Sequence, residues 1–249
     1  SIGSTLSGPE WCRSAAEHGL RFLRTHQRDT ARGGYHWLLE EKTPYDSKRI
    51  CYGHAFAFLA LARAIEAGIS DVADDLQQLS QLLIDRFWEP AHGLCKSEYD
   101  PDWTEAADYR GQNANMHMCE AMIAAYEATG ETQYLEKATT IAESLTVELA
   151  KETDGLIWEH YTGDWEHDFE YNRDDPRHTF RPWGYQPGHQ IEWAKLLAVL
   201  ARHADEEWLV PRAEELFGAA ISYGWDDSAG GFYYSFDLNK EPLIRDKYS

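Results

Sequence analysis

Apolar positions recur with helical period along most of the chain, and two kinds of helix alternate. Residues 11–25 set Trp11, Ala15, His18, Leu20, Phe22 and Leu23 on one side and Arg and Glu on the other, which predicts an amphipathic helix. Residues 49–67 are apolar nearly all round, through Tyr52, Ala55, Phe56, Phe58, Leu59, Leu61 and Ala62, as in a helix buried on most faces. Residues 71–87 are amphipathic again, with Leu76, Leu79, Leu82, Leu83 and Phe87 inward. Residues 115–129 are apolar nearly all round, and Gly130 follows where a left-handed cap belongs. Residues 132–151 are amphipathic, and 188–203 with 206–223 repeat the alternation of one buried and one half-buried helix.

A second element recurs between the helix pairs: Gly33-Gly34-Tyr35-His36-Trp37, His92-Gly93-Leu94-Cys95, Asp154-Gly155-Leu156-Ile157-Trp158 and Gly230-Gly231-Phe232-Tyr233-Tyr234. Each reads as a glycine turn leading a short strand. From Gly34 to Gly93, Gly155 and Gly231 the spacings are 59, 62 and 76 residues, an internal repeat of one helix pair plus one hairpin. Buried inner helices ringed by amphipathic outer ones define an all-α fold, an α/α toroid with short β-hairpins between the pairs. A closed ring of six pairs needs about 360 residues at this spacing, so 249 supply about four of the six repeats. The expectation is therefore one incomplete domain over 1–249, the last residues, 240–249, following a hairpin with no helix after it. An open ring exposes the apolar flanks of its end repeats, which predicts association, with a homo-oligomer as one form of it.

Charge narrows the partners. The formal net charge of −20 and the lack of any run of Lys and Arg exclude a nucleic-acid groove and disfavour an anionic membrane surface. With 43% apolar residues and ten Trp the chain can build a core, so disorder is excluded. No apolar run reaches the roughly 18 residues of a membrane span, and residues 1–10 lack a signal-peptide pattern, so the expected location is cytoplasmic. Cys12, Cys51, Cys95 and Cys119 are widely spaced without a Cys-x-x-Cys pair and read as reduced core thiols.

Most of the unusual polar residues fall in two clusters, each at the start of a buried helix: residues 109–120 (Tyr-Arg-Gly-Gln-Asn-Ala-Asn-Met-His-Met-Cys-Glu) and residues 180–193 (Phe-Arg-Pro-Trp-Gly-Tyr-Gln-Pro-Gly-His-Gln-Ile-Glu-Trp). Both contain His-x-x-Glu, as His117 with Glu120 and His189 with Glu192, and a spacing of three puts the pair on one helical face. A carboxylate beside an imidazole holds its tautomer and keeps its pKa near neutrality, which suits proton transfer. The plainer alternative is a histidine that caps a helix start. A di-metal reading lacks its further carboxylates, since Tyr52-Gly53-His54-Ala55 has no Glu three residues on, so no metal is expected. Arg181, in a Pro- and Gly-rich loop, offers a fixed cation for a developing oxyanion or else a structural ion pair. Trp37, Trp158, Trp183 and Trp193 offer faces for a sugar ring or fill the core. Glu159, His160 and His167 fall in an acidic, aromatic loop that is expected to cover the cavity.

At these clusters the chain resembles the N-acylglucosamine 2-epimerase family, in wording most like its D-mannose isomerase branch. The resembling stretches are residues 33–37, 52–56, 109–120, 158–161, 181–197 and 246–248. The resemblance implies an (α/α)6 toroid with a sugar in its central cavity, and isomerisation or 2-epimerisation without cofactor or metal by proton transfer next to the carbonyl of the ring-opened monosaccharide, a free hexose (mannose and fructose) ahead of an N-acylhexosamine. It implies His189 as an acid/base group with Glu192 orienting it, Arg181 beside the substrate oxygens, and Asn113 and His117 on sugar hydroxyls. It also puts Tyr52 and His54 on the cavity wall; of the tryptophan faces, Trp183 is taken from its own place in the second cluster as a further sugar contact. A second catalytic histidine lies, in the family, beyond the hairpin matched by residues 230–236, past Ser249. Two other readings are weighed beside this one: an inverting glycosidase on the same fold, with Glu98, Asp102 and Glu159 as its acids, and a sugar-binding fragment without turnover.

Overall fold

The computed structural model describes Pro9 and residues 11–247. The remaining amino-terminal residues and Tyr248, the last member of the 246–248 stretch, lie outside the described residues. The chain divides into two compact units, residues 1–108 with 117–138, and residues 109–116 with 139–249.

In the first unit α1 (Trp11–Phe22) runs on into a π turn, Leu23–Gln27. A hairpin follows, β1 (Leu38–Glu40) with β2 (Thr43–Asp46), and then β3 (Arg49–Ile50) leads straight into α2 (Cys51–Glu66). α3 (Ala73–Leu82) also ends in a π turn, Leu83–Phe87, before β4 (Trp88–Glu89), β5 (Leu94–Cys95) and β6 (Glu98–Tyr99). The two helix types separate by burial. α2 buries eight residues, among them Ala55, Phe58, Leu61 and Ala62, whereas α3 buries Leu76, Leu79 and Ser80. The outer face is held by charge: Arg24 and Arg28 both reach Asp75, at 2.6 and 2.8 Å.

α4 (Gln112–Thr129) starts in the second unit and continues in the first, followed by α5 (Thr132–Glu143), which the π turn Ser144–Glu148 extends. In the second unit, β7 (Arg110–Gly111) pairs with β8 (His160–Tyr161). α6 (Pro187–Leu200) packs along α7 (Leu209–Gly224), and β9 (Ser235–Phe236) pairs with β10 (Pro242–Ile244). α7 begins three residues later than its periodicity suggests, with Pro211 in its first turn, where a missing N–H costs nothing.

The repeat is built on one device used three times. The residue pair ahead of each inner helix joins a strand that lies after the following outer helix: Ile50 with Glu98, Gly111 with His160, and Tyr185 with Phe236. Each inner helix thus starts from a hydrogen-bonded anchor, and the residues of its first turn are placed with strand precision. The turns repeat as well. Asp29 and Asp226 each accept from two backbone N–H groups ahead of a Gly-Gly pair with positive φ, at Gly33-Gly34 and Gly230-Gly231.

Three expected strands take another form, and in one of them Phe232 makes a single bridge to Trp225 with the regular strand starting at Ser235. Tyr35 makes a single bridge to Arg28, and the regular strand starts at Leu38. Ile157 joins no ladder; the buried Gln190 side chain replaces one, its Nε2 donating to the Ile157 carbonyl at 2.9 Å and its Oε1 accepting the Ile157 N–H at 3.1 Å. The four cysteines form no disulfide, and Cys51, Cys95 and Cys119 are buried.

Candidate active site

In the second unit the first turns of α4 and α6 meet the residue ahead of β8. His189 Nδ1 lies 2.9 and 3.0 Å from the two carboxylate oxygens of Glu159. Glu159 is 4% exposed, and the His189 side chain is 22% exposed. Three contacts place the carboxylate. Gln190 holds Ile157, two residues before it; the Gln112 backbone N–H donates to the Glu159 carbonyl at 3.2 Å; and Gln112 Nε2 donates to Glu159 Oε2 at 2.9 Å. Trp193 Nε1–H donates to Gln112 Oε1 at 2.8 Å.

A buried carboxylate against Nδ1 decides the histidine's chemistry. Nδ1 carries the hydrogen and donates it to Glu159, so the lone pair sits on Nε2. Burial opposes the imidazolium, but the charge and hydrogen bond of Glu159, with the charge of Glu192 behind them, outweigh it and raise the His189 pKa above its ordinary value. The result is a base with a fixed tautomer and a strengthened affinity for a proton.

This corrects one expectation. The carboxylate that orients His189 is Glu159, thirty residues away in sequence, and Glu192, one turn on, acts through its charge. The other His-x-x-Glu pair does form: His117 Nδ1 lies 3.3 Å from Glu120 Oε2.

Arg181 belongs to an aromatic cluster. Its guanidinium stacks over the Tyr109 ring, 4.0 Å from the centroid, and Nη1 donates to Tyr171 Oη at 2.8 Å. Beneath it, His160 Nε2–H donates to the Pro182 carbonyl at 2.8 Å, and Nδ1 accepts from Tyr109 Oη–H at 3.0 Å. Burial lowers the His160 pKa, so this imidazole is a neutral link in the support of Arg181. Asn113, half-buried on the first turn of α4, has a buried Oδ1 with no hydrogen-bond partner among the described residues. An acceptor left so is suited to a ligand hydroxyl.

In the first unit the half-buried Tyr52 and His117 form an aromatic group with the exposed Phe56, Tyr52 lying edge-on to His117 at 5.1 Å and to Trp37 at 6.2 Å. Two predicted contacts are corrected. His54 is 1% exposed and both its nitrogens serve the backbone: Nδ1–H donates to the Ile50 carbonyl at 2.8 Å, and Nε2 accepts the Tyr35 N–H at 3.0 Å. It staples the Gly33-Gly34 turn to α2 and has no nitrogen left for a sugar. Trp183 is 6% exposed, with Nε1–H bound to the Phe169 carbonyl and its ring edge-on to Trp158 at 5.8 Å, so it is core. Of the glycosidase candidates, Asp102 is a 59% exposed partner of Arg32, and Glu98 lies 3.9 Å from Lys48. Glu159 is committed to His189.

The residues that the motifs did not single out are Gln112 and Trp193 as partners of one amide. Their signal was a polar side chain, Gln112, opening a helix otherwise apolar on nearly every side.

Helix pairs anchored by short strands, with an imidazole–carboxylate pair at the mouth of an inner helix, define a chain of the α/α-toroid class. The N-acylglucosamine 2-epimerase (GlcNAc 2-epimerase) family model matches residues 1–249, and the chain belongs to that family. It is 43% identical over 237 residues to a D-mannose isomerase of Marinomonas mediterranea, which covers 95% of this chain and 60% of that protein. A crystal structure of D-mannose isomerase, 42% identical, superposes with a TM-score of 0.92 over 95% of this chain and 61% of the other. The cellobiose 2-epimerase of Spirochaeta thermophila, 18% identical, shares the fold with a TM-score of 0.67 over 92% of this chain and 73% of its own. The chain thus spans about three-fifths of the length of the D-mannose isomerases that it matches. No described helix is long and apolar enough to cross a membrane.

Proposed function

We propose that this chain carries the proton-transfer site of a cofactor-independent isomerase of free hexoses, interconverting D-mannose and D-fructose. The observation that carries the reading is His189 held by the buried Glu159, with Nε2 left as a base on a half-exposed imidazole. The resemblance to D-mannose isomerases supports the substrate.

In this reading the open-chain aldose offers its acidic C2–H to Nε2. The C–H bond breaks, its electron pair forms the C1–C2 double bond, and the negative charge moves to O1. Arg181, a cation held by Tyr109 and Tyr171, stabilises that oxyanion. The proton on O2 passes to O1, and the imidazolium returns its proton to C1, giving the ketose with no oxidant or reductant. Asn113 Oδ1 accepts from a sugar hydroxyl.

The test is turnover of D-mannose to fructose, with N-acetylglucosamine and a mannose oligosaccharide as alternative substrates. Fructose that disappears with His189→Ala supports the reading. Epimerisation of N-acetylglucosamine with none of mannose overturns the substrate, and reducing ends released from the oligosaccharide despite His189→Ala overturn the reaction class.

A further inference from the structure

We infer that Tyr171 is a further catalytic residue, its hydroxyl donating, beside Arg181, to the oxygen on which negative charge gathers when the sugar loses its C2 proton. The assignment rests on the proton-transfer reading above and deepens it by naming a second donor to that oxygen.

The Tyr109 and Tyr171 rings lie 4.6 Å apart between centroids, and the His160 ring lies 4.9 Å from that of Tyr171. The two hydroxyls differ in what is left to them. The Pro182 carbonyl can only accept, so it takes the Nε2–H of the neutral His160; Nδ1 then accepts, and the Tyr109 hydrogen is spent on it. A guanidinium can only donate, so the Tyr171 oxygen accepts from Arg181 Nη1 at 2.8 Å and keeps its own hydrogen for another acceptor. Among the described residues no acceptor takes that hydrogen.

The phenol is also held in place. Tyr171 is half-buried, and its backbone N–H donates to Asp168 Oδ1 at 3.0 Å, while the Asp168 N–H donates to the His160 carbonyl at 3.0 Å. Asn172 Nδ2 donates to the Arg181 carbonyl at 2.8 Å. The segments that carry the phenol and the guanidinium are thus tied to each other and to β8, so the two head groups keep their spacing before any sugar arrives. Donation from a cation draws charge from the phenol oxygen and strengthens its O–H as a donor. An oxygen set beside both meets a fixed cation and a polarised hydroxyl, which is how charge developing at O1 is stabilised. Tyr171 keeps its hydrogen throughout; no bond of the phenol breaks, and the proton balance is that of the isomerisation itself.

The test separates donation to the sugar from merely holding Arg181. Tyr171→Phe removes the whole hydroxyl, whereas the O-methyl ether of Tyr171, introduced by amber suppression, keeps the oxygen that Arg181 needs and removes only the hydrogen. Both variants are expected to lose about a hundredfold to a thousandfold in kcat on mannose, the scale of one donor to an oxyanion, with little change in KM or melting temperature. An ether that keeps the parent's kcat overturns the inference, whatever its KM, because Tyr171 then serves only to hold Arg181. A loss confined to thermal stability overturns it as well. Should Tyr171→Phe fail to fold, the ether carries the same test. A parent that makes no fructose overturns the isomerase reading, and calorimetry with D-mannitol, an open-chain polyol, then decides Tyr171. Affinity about tenfold weaker in both variants supports the donor, the scale of one hydrogen bond; equal affinity in the ether and the parent, or no binding to the parent, overturns it.

Discussion

Replacing Glu159 by Gln tests the organisation of the site at its hinge. The change keeps the shape of the side chain but removes the charge that faces Nδ1 at 2.9 and 3.0 Å. A hydrogen bond to a charged group contributes about 1.5–3 kcal/mol, and at about 1.4 kcal/mol per decade its loss slows the reaction about tenfold to a hundredfold. If the new amide also turns the imidazole to its other tautomer, the loss grows toward the roughly 10⁴-fold seen when a triad carboxylate becomes an amide. The acid limb of kcat/KM moves to lower pH, since burial then acts on His189 without its main opposing charge. Stability changes little, because removing a buried charge also removes its desolvation cost. The assay is mannose–fructose turnover across pH, with Glu192→Gln alongside and a melting curve for each variant. A loss below about threefold in Glu159→Gln, or a full loss confined to Glu192→Gln, refutes the assignment of the orienting carboxylate.

Three further expectations follow from the same geometry. A Cβ on Gly34 would stand 2.7 Å from His54 Nε2 and 2.8 Å from Trp103, at φ +74°, whereas one on Gly68, at φ +75°, meets nothing within 4 Å; Gly68→Ala therefore costs about 1 kcal/mol of backbone strain and Gly34→Ala clearly more, read by urea unfolding. Burial, aided by the charge of Arg49, lowers the His54 pKa from 6.5 to about 4; the neutral ring contributes stability in full above pH 6.5, lost as pH falls toward 4, about 3 kcal/mol across the window, and a flat acid titration of Tm with His54 intact contradicts it. Arg181→Lys keeps the charge but loses the planar stack on Tyr109 and the aimed bond to Tyr171, so kcat/KM falls about tenfold or more with the melting temperature nearly unchanged; equal activity shows that a point charge suffices.

What could be read from the chain alone was whatever depends on neighbours within a turn or two. The alternation of α2 with α3 follows from composition, because a helix apolar on every side has to be enclosed. His117 and Glu120 were legible because three residues on a helix bring two side chains together wherever the helix goes. The same rule misled at His189. Glu192 has the right spacing, but the Gln190 clasp on Ile157 delivers Glu159 to Nδ1 first, and no local pattern encodes a contact across thirty residues. His54 and Trp183 carry polar atoms that look available in sequence. Their partners are backbone groups, the Tyr35 N–H and Ile50 carbonyl for one and the Phe169 carbonyl for the other, and only the folded path of the chain shows those needs already met.

The central claim is that His189 removes the C2 proton of a ring-opened hexose. Incubating the protein with D-mannose in D2O and following the C2 proton by NMR tests it most directly, with His189→Ala beside it. The account predicts loss of the C2 proton signal and growth of fructose, both abolished by the replacement. Mannose that binds yet keeps its C2 proton, or exchange that persists without His189, contradicts it.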